Sequence, residues 1–445
     1  MPTLEQELEL YKQRTNNSFK CHEDAKNYLP LGVTSNFRCY EPYPLFIKSA
    51  QGSTLIDEDD NEYIDFAMHF GTLLVGHAHP KIIKTVSEQT AKGTLYNLPH
   101  KAKVELVKEL CRRYPIDMVR FVNTGTEATM HSIRLARSIT GKNKIIKMEG
   151  SYHGAHDALI VSTKPPVLKM GREEAPFPVC PTTGIPADVL KNTLIASFNR
   201  LDSIERLLQK YEHEVAAVIL EPVMLNIGVC VPVDNFLQKL IDLCHSYNVL
   251  VIFDEVKTGF KLASGGACEY YKAKPDIICL AKAMGGGLPI GCFGGRKEIM
   301  NHIASPGLYH AGTYSGNPLS IATAITTLKE ILTDDAYLQL ISFSQRLKDG
   351  YTEIINKNKL NAHSLNAGAV GVIYFNKEQV RNYRDYLRLN YNKWRHYWFG
   401  MVNRGIMPQP HGQDDQWTVS VQHTGKDIEK HLEVFEEIAP DLKDD

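Results

Sequence analysis

Polar and apolar positions follow two patterns that succeed one another along this chain. Early on, short apolar stretches at residues 45–48, 54–57 and 63–66 are separated by Gln51-Gly52 and by the polar run Glu58-Asp59-Asp60-Asn61. Short apolar runs bounded by turn residues predict strands, here an antiparallel meander. From about Gly76 to about Leu328 the pattern changes to apolar runs at 118–122, 144–148, 216–220, 249–253 and 277–280, alternating with stretches of helical periodicity. Near-continuous apolar strands alternating with helices predict a mainly parallel sheet buried on both faces. Residues 234–247, apolar at Phe236, Leu237, Leu240, Ile241 and Leu243, read as a crossover helix feeding the strand that ends at Asp254. Past Thr326 come a long helix over 328–355, a strand over 369–374, then helix, strand and a closing helix. The expected fold class is α/β: a large domain over residues 76–328, and a smaller α+β domain made from both chain ends, residues 1–75 and 329–445.

Composition narrows the function. The chain has 445 residues, 43% hydrophobic and 23% charged, with a formal net charge of −1, so no basic excess points to nucleic acid. No apolar run is long enough to span a bilayer, and the polar start MPTLEQELELYKQR lacks the apolar core of a secretory signal. Nine cysteines without a CxxC pair suit reduced thiols. The expectation is a cytoplasmic protein acting on small molecules, with no nucleic-acid or membrane partner.

Ligands of open parallel sheets bind beyond the carboxyl ends of the strands, so polar residues directly after apolar runs are the first candidates. Four such places occur. Thr124, Gly125 and Thr126 follow the run 118–122 and open a periodic helix, where hydroxyls and free N–H groups suit a phosphate; an ordinary helix cap is the equal alternative. Asp254 and Glu255 end the run 249–253, and a buried carboxylate there needs a partner: a cofactor pyridinium, or a metal or activated water. Lys282 stands just past the run 277–280 and ahead of Gly285-Gly286-Gly287, where desolvation and close backbone approach would favour Schiff-base chemistry over a solvated surface amine. Tyr152, in Gly150-Ser151-Tyr152-His153-Gly154, could stack on a planar ring or be a core tyrosine. His77-Ala78-His79 lacks a third ligand at a matching interval, so no metal is expected.

In order and spacing these segments resemble the class III, fold type I pyridoxal-phosphate-dependent aminotransferases, and most closely their glutamate-1-semialdehyde 2,1-aminomutase branch. The resemblance also takes in Gly76-His77-Ala78-His79-Pro80, Glu221-Pro222-Val223 and the stretch Ala311-Gly312-Thr313-Tyr314-Ser315-Gly316-Asn317-Pro318. It implies a homodimer with shared active sites that binds pyridoxal 5'-phosphate, with pyridoxamine 5'-phosphate as the aminated form. Lys282 would form the Schiff base and shuttle protons, and Asp254 would pair with the pyridinium nitrogen. Thr124, Gly125 and Thr126 would lie at the phosphate, Tyr152 against the ring face, Asn226 near the phenolic oxygen and Val256 behind the ring. Thr313 would reach the phosphate of the neighbouring subunit, and Arg38 would take the substrate carboxylate, a task its planar guanidinium suits.

The sequence departs from that branch at several points. Leu31-Gly32 stands where the aminomutase has a glycine pair, and Phe70 where it has a tryptophan before Gly71, so the substrate pocket is altered. A C-terminal glutamate has Asp415 as its nearest counterpart, and the mobile arginine of β-amino-acid transaminases is missing between Pro410 and Val419. Residues 163–186 fall where the aminomutase carries a mobile lid. The expected activity is amino transfer between a carboxylate-bearing amine and a keto or aldehyde acceptor. The alternatives are, in order, intramolecular transfer as in the aminomutase, an amino-acid racemase or epimerase, and a non-catalytic binding protein.

Overall fold

The computed structural model describes residues 2–304, 308–410, 412–414 and 416–443. Its strands, in chain order, are β1 (Ile47–Gln51), β2 (Thr54–Asp57), β3 (Glu62–Asp65), β4 (Met118–Val122), β5 (Lys144–Met148), β6 (Gly171–Arg172), β7 (Ala175–Pro176), β8 (Thr193–Ala196), β9 (Val215–Leu220), β10 (Leu250–Asp254), β11 (Ile277–Leu280), β12 (Gly291–Gly295), β13 (His363–Ala367), β14 (Val370–Tyr374), β15 (Ile406–Met407) and β16 (Trp417–Thr418). The chain divides into two compact units. Unit 1 comprises Met1–Pro80, Asp334–Gln379 and Arg388–Asp445, and unit 2 comprises Lys81–Thr333 with Val380–Leu387.

Unit 2 is an α/β structure built on a seven-stranded sheet in the order β4-β12-β11-β10-β9-β5-β8. β10 runs parallel to both β9 and β11, and β5 to β8 and β9; β12 alone runs antiparallel to its neighbours, β11 and β4. β9 is buried at every position, as a strand covered on both faces must be. The helix Gly125–Thr140 lays Ala128, Ile133, Leu135 and Ala136 into a core with Ile145, Ala217, Ile219, Ile252 and Phe293. It ends at Gly141 in the left-handed conformation, whose N–H returns to the Arg137 carbonyl.

Apolar periodicity does not reveal β12, because three of its five residues are glycine. The glycines are there for space: a Cβ on Gly294 would stand 2.7 Å from the Met118 carbonyl oxygen, and one on Gly295 2.5 Å from that of Asp276. The expected crossover helix forms over Phe236–Ser246. The long helix expected over 328–355 is instead broken, with a π-helical turn at Thr327–Ile331 and an α-helix over Asp334–Asn358. Asp334 and Asp335 give the second piece the acidic first turn that a helix N-terminus favours. Residues 163–186 also differ from an unstructured loop: they hold a short 3-10 turn, Val167–Lys169, and the hairpin β6–β7.

Unit 1 carries the antiparallel meander β1-β2-β3, extended by β15 parallel to β3, and a second sheet, β13-β14-β16. The helices Leu4–Arg14, Tyr391–Asn403 and Gly425–Ile438 belong to it. Among the described residues no helix is long and apolar enough to cross a membrane.

Candidate active site

The carboxyl edge of the unit 2 sheet gathers most of the sequence candidates. β10 ends in Asp254, only 4% exposed, whose Oδ2 accepts a hydrogen bond from His153 Nδ1 at 2.7 Å and whose Oδ1 accepts one from the Val256 N–H at 3.0 Å. A carboxylate only accepts, so the imidazole donates from Nδ1. These two bonds fix the plane of the acid. One strand over, β11 runs into a 3-10 turn that starts at Lys282, half-buried and held at φ +46°, a left-handed value that side chains rarely adopt. Strain of this kind, of order 1–3 kcal/mol, concentrates at functional sites. Burial pushes the Lys282 amine below the usual lysine value, against the opposing pull of Asp254 and Glu221.

β4 leads to Thr124, the N-cap of the helix Gly125–Thr140, whose hydroxyl accepts from the Glu127 N–H. Thr124 therefore caps the helix, and the helix start is a concentration of N–H dipoles. Gly125 is dictated by close approach, since a Cβ there would lie 2.8 and 2.9 Å from the two methyls of Val256. Thr126 Oγ1 accepts from the Ala155 N–H at 3.3 Å, which ties the helix start to the Tyr152 loop. In that loop the Tyr152 N–H bonds Glu221 at 3.1 Å, and Asn226 Nδ2 reaches the Tyr152 carbonyl at 3.5 Å. Burial, then the Asp254 charge, raises the Tyr152 phenol, with Thr126 pulling the other way. Glu255, the other acid of the pair, is wholly buried and bonds Thr258 and the N–H groups of Ala267 and Cys268, a structural role.

Thr313 lies on an exposed loop, next to Gly312, where a Cβ would stand 3.9 Å from the Asn123 amide. Two residues with no assigned role join the group around Asp254 and Tyr152: His153, the donor to Asp254, and Glu221, which braces Tyr152 and also accepts from the Leu225 N–H. Their signal lay in the quoted segments, one beside Tyr152 and the other directly after the run 216–220.

Arg38 and Phe70 belong to unit 1, where both line a cavity of about 530 Å³ with Phe37, Tyr40, His69 and His77. Phe37 and Phe70 meet edge to face at 5.2 Å, and the Arg38 guanidinium lies 5.8 Å from the Phe37 ring. Arg38 is exposed and bonds Ser35 Oγ at 3.2 Å; among the described residues no carboxylate pairs with it. Phe70 is presented by an uncommon backbone run, Met68, His69, Phe70 and Gly71, all at positive φ. His77 Nε2 is paired with Asp65 at 2.7 Å. Asp415 lies outside the described residues.

Residues 37–436 match the family model of the class-III aminotransferases. The chain is 39% identical to the glutamate-1-semialdehyde 2,1-aminomutase of Methanococcus maripaludis, over 97% of this chain and 98% of that protein. It is 40% identical to the protein of the same name from Francisella philomiragia, over 94% of this chain and 96% of that one. Among solved structures it resembles an omega-transaminase from Sphaerobacter thermophilus, with a TM-score of 0.89 and 29% identity over 96% of this chain and 97% of that chain. It shares its fold with a glutamate-1-semialdehyde-aminomutase from Pseudomonas aeruginosa in complex with PMP, at a TM-score of 0.90 and 24% identity over 99% and 97% of the two chains.

Proposed function

This chain belongs to the class III aminotransferases, and from that premise we propose that it moves an amino group between adjacent carbons of glutamate-1-semialdehyde, with Lys282 as the residue that bonds the cofactor. The cofactor is pyridoxal 5'-phosphate, and the residues fit it. A buried, doubly hydrogen-bonded carboxylate suits its ring nitrogen, a helix start cleared of a Cβ suits its phosphate, and an amine of lowered basicity suits its aldehyde. When bound, the group accepts the amine and takes up the electrons left when a substrate C–H bond breaks.

The protein's own residues do the rest. Asp254, held by His153 and Val256, is a carboxylate of fixed orientation that would face the ring nitrogen. Tyr152, its backbone braced by Glu221 and tethered to Asn226, would lie against the face of the cofactor ring. Lys282 would bond the cofactor, and its amine, less basic than that of an exposed lysine, is suited to moving a proton at the substrate. Arg38 would hold the substrate carboxylate, and Thr313, on its exposed loop, would complete the phosphate site of a second subunit in a homodimer.

The observation that carries this reading is the placement of Asp254 and Lys282 at the ends of the neighbouring strands β10 and β11, in a chain about 40% identical to proteins named aminomutase. Purified protein given glutamate-1-semialdehyde and pyridoxamine phosphate, without any keto acid, is expected to form the isomeric amino ketone. Turnover only after a keto acid is added would refute it. That outcome would favour a second reading, amino transfer between two substrates, which the substitution of Phe70 for tryptophan and the apolar lining around Arg38 support. Lys282→Ala is expected to fold, bind the cofactor without a covalent bond and lack turnover.

A further inference from the structure

β5 carries a lysine where a parallel strand ordinarily carries an apolar residue. Lys147 is fully buried, and no acid lies within salt-bridge distance of it among the described residues. An ammonium has three protons to place and cannot stay unpaired in an apolar interior. Here it donates to three backbone carbonyls, Ser151 at 3.0 Å, Leu159 at 2.7 Å and Val161 at 2.7 Å, with Thr163 Oγ1 further off at 3.4 Å. All of these acceptors belong to one loop that leaves β5 and doubles back on it. Thr163 Oγ1 also donates to the Ser151 carbonyl at 3.1 Å, and the Gly150 N–H to the Ser162 carbonyl at 3.0 Å, so the two ends of the loop are stitched together around the ammonium.

The residues that follow Ser151 immediately are Tyr152 and His153. Tyr152, whose phenol feels the Asp254 charge, is the residue read above as lying against the cofactor ring, and His153 holds Asp254. From this geometry we infer that Lys147 is a positioning residue, whose caged ammonium sets the register of the 151–161 loop and thereby the placement of Tyr152 and of the Asp254 carboxylate that receives the cofactor. The inference rests on the cofactor reading above for Tyr152 and Asp254. Its chemistry is unlike that of Lys282: this amine is saturated by carbonyls and shut away from reactants. Burial lowers it to about 7, with Glu221 and Asp254 resisting that fall.

The test uses the full chain with Lys147→Met, which keeps the stem and removes every donor, and Lys147→Gln, which keeps a shorter amide donor. Hydrogen exchange of the apoprotein reads the loop without any cofactor, and titration with pyridoxal phosphate reads affinity and the visible absorption band. The expected result is faster exchange confined to residues 150–163, with cofactor affinity lowered about tenfold or more in the methionine variant, the loss expected for hydrogen bonds to a charged group. The glutamine variant should fall between, and it carries the test by itself if the methionine variant does not fold. Unchanged exchange in the loop would overturn the inference. So would a loosened loop with wild-type affinity and spectrum, since Lys147 would then be structural only. Failure of the cofactor reading itself shows up separately, as wild-type protein that binds no pyridoxal phosphate at Lys282.

Discussion

The contact between His153 and Asp254 allows one prediction to be worked through. Asp254 accepts from two donors, and only the one at 2.7 Å comes from a side chain, so His153→Leu removes it while the Val256 N–H at 3.0 Å remains. Hydrogen bonds to a charged group contribute roughly 1.5–3 kcal/mol each. At about 1.4 kcal/mol per factor of ten, the loss of such a bond sets the scale of the effect on rate. A carboxylate that has lost this donor is held less firmly, and would give the cofactor less support in drawing electrons from the substrate. The expected loss is about 10- to 100-fold in kcat, by the same conversion of energy into rate. His153→Asn can present an amide N–H near the position of Nδ1 and should recover much of the activity. Steady-state kinetics with saturating cofactor, beside a thermal melt to confirm folding, measure this. A His153→Leu enzyme that folds, binds cofactor and turns over within about twofold of wild type would refute the reasoning, since the expected factor is ten or more.

Other perturbations have outcomes as definite. Gly125→Ala places a methyl 2.8–2.9 Å from the Val256 side chain; overpacking of this kind costs about 1–3 kcal/mol and should appear in cofactor titration as weaker binding. Arg38→Ala is expected to raise KM for a carboxylate substrate by about tenfold or more, with kcat less affected, because a charge-assisted contact made equally to substrate and transition state is lost; equal KM in both proteins would remove Arg38 from the site. Buried His423 and His431 in unit 1 are lowered by burial to about 4 and about 3. Both stay neutral in the folded state while the unfolded chain takes up protons, so their contribution is complete above the unfolded pKa of about 6.5 and falls by about 1.4 kcal/mol per pH unit per histidine below it, down to the folded values. Denaturant melts from pH 7 to 5 should show a loss of stability that His431→Gln reduces.

Much of the fold was legible because most strands of the large sheet are largely buried and so read as mainly apolar runs; the expected bounds are met to the residue at β4, β5 and β11. β12 was invisible for the opposite reason, since glycines carry no side chain to pattern. The break ahead of Asp334 was also hidden, because apolar spacing continues across it while the backbone does not. In the site, Thr124, Asp254 and Lys282 could be proposed because a residue's place after an apolar run is a local property. His153 could not, because its meaning depends on meeting Asp254, 101 residues further along. Lys147 has no sequence signal either: a polar residue in a short strand reads as its solvent-facing side, and only the returning loop turns that position into a closed cage.

The parallel pairing of β15 with β3 sets Ile406 beside Ile64 and Met407 beside Asp65. Nearly the whole polypeptide must leave the ribosome before that edge of the first sheet can be closed, whereas the seven strands of unit 2 are all synthesised by residue 295. Truncation shortly before residue 406 should therefore leave a shortened product whose β3 edge is unpaired while the unit 2 sheet is intact, and nascent chains of that length are the ones on which a chaperone would find exposed strand edge.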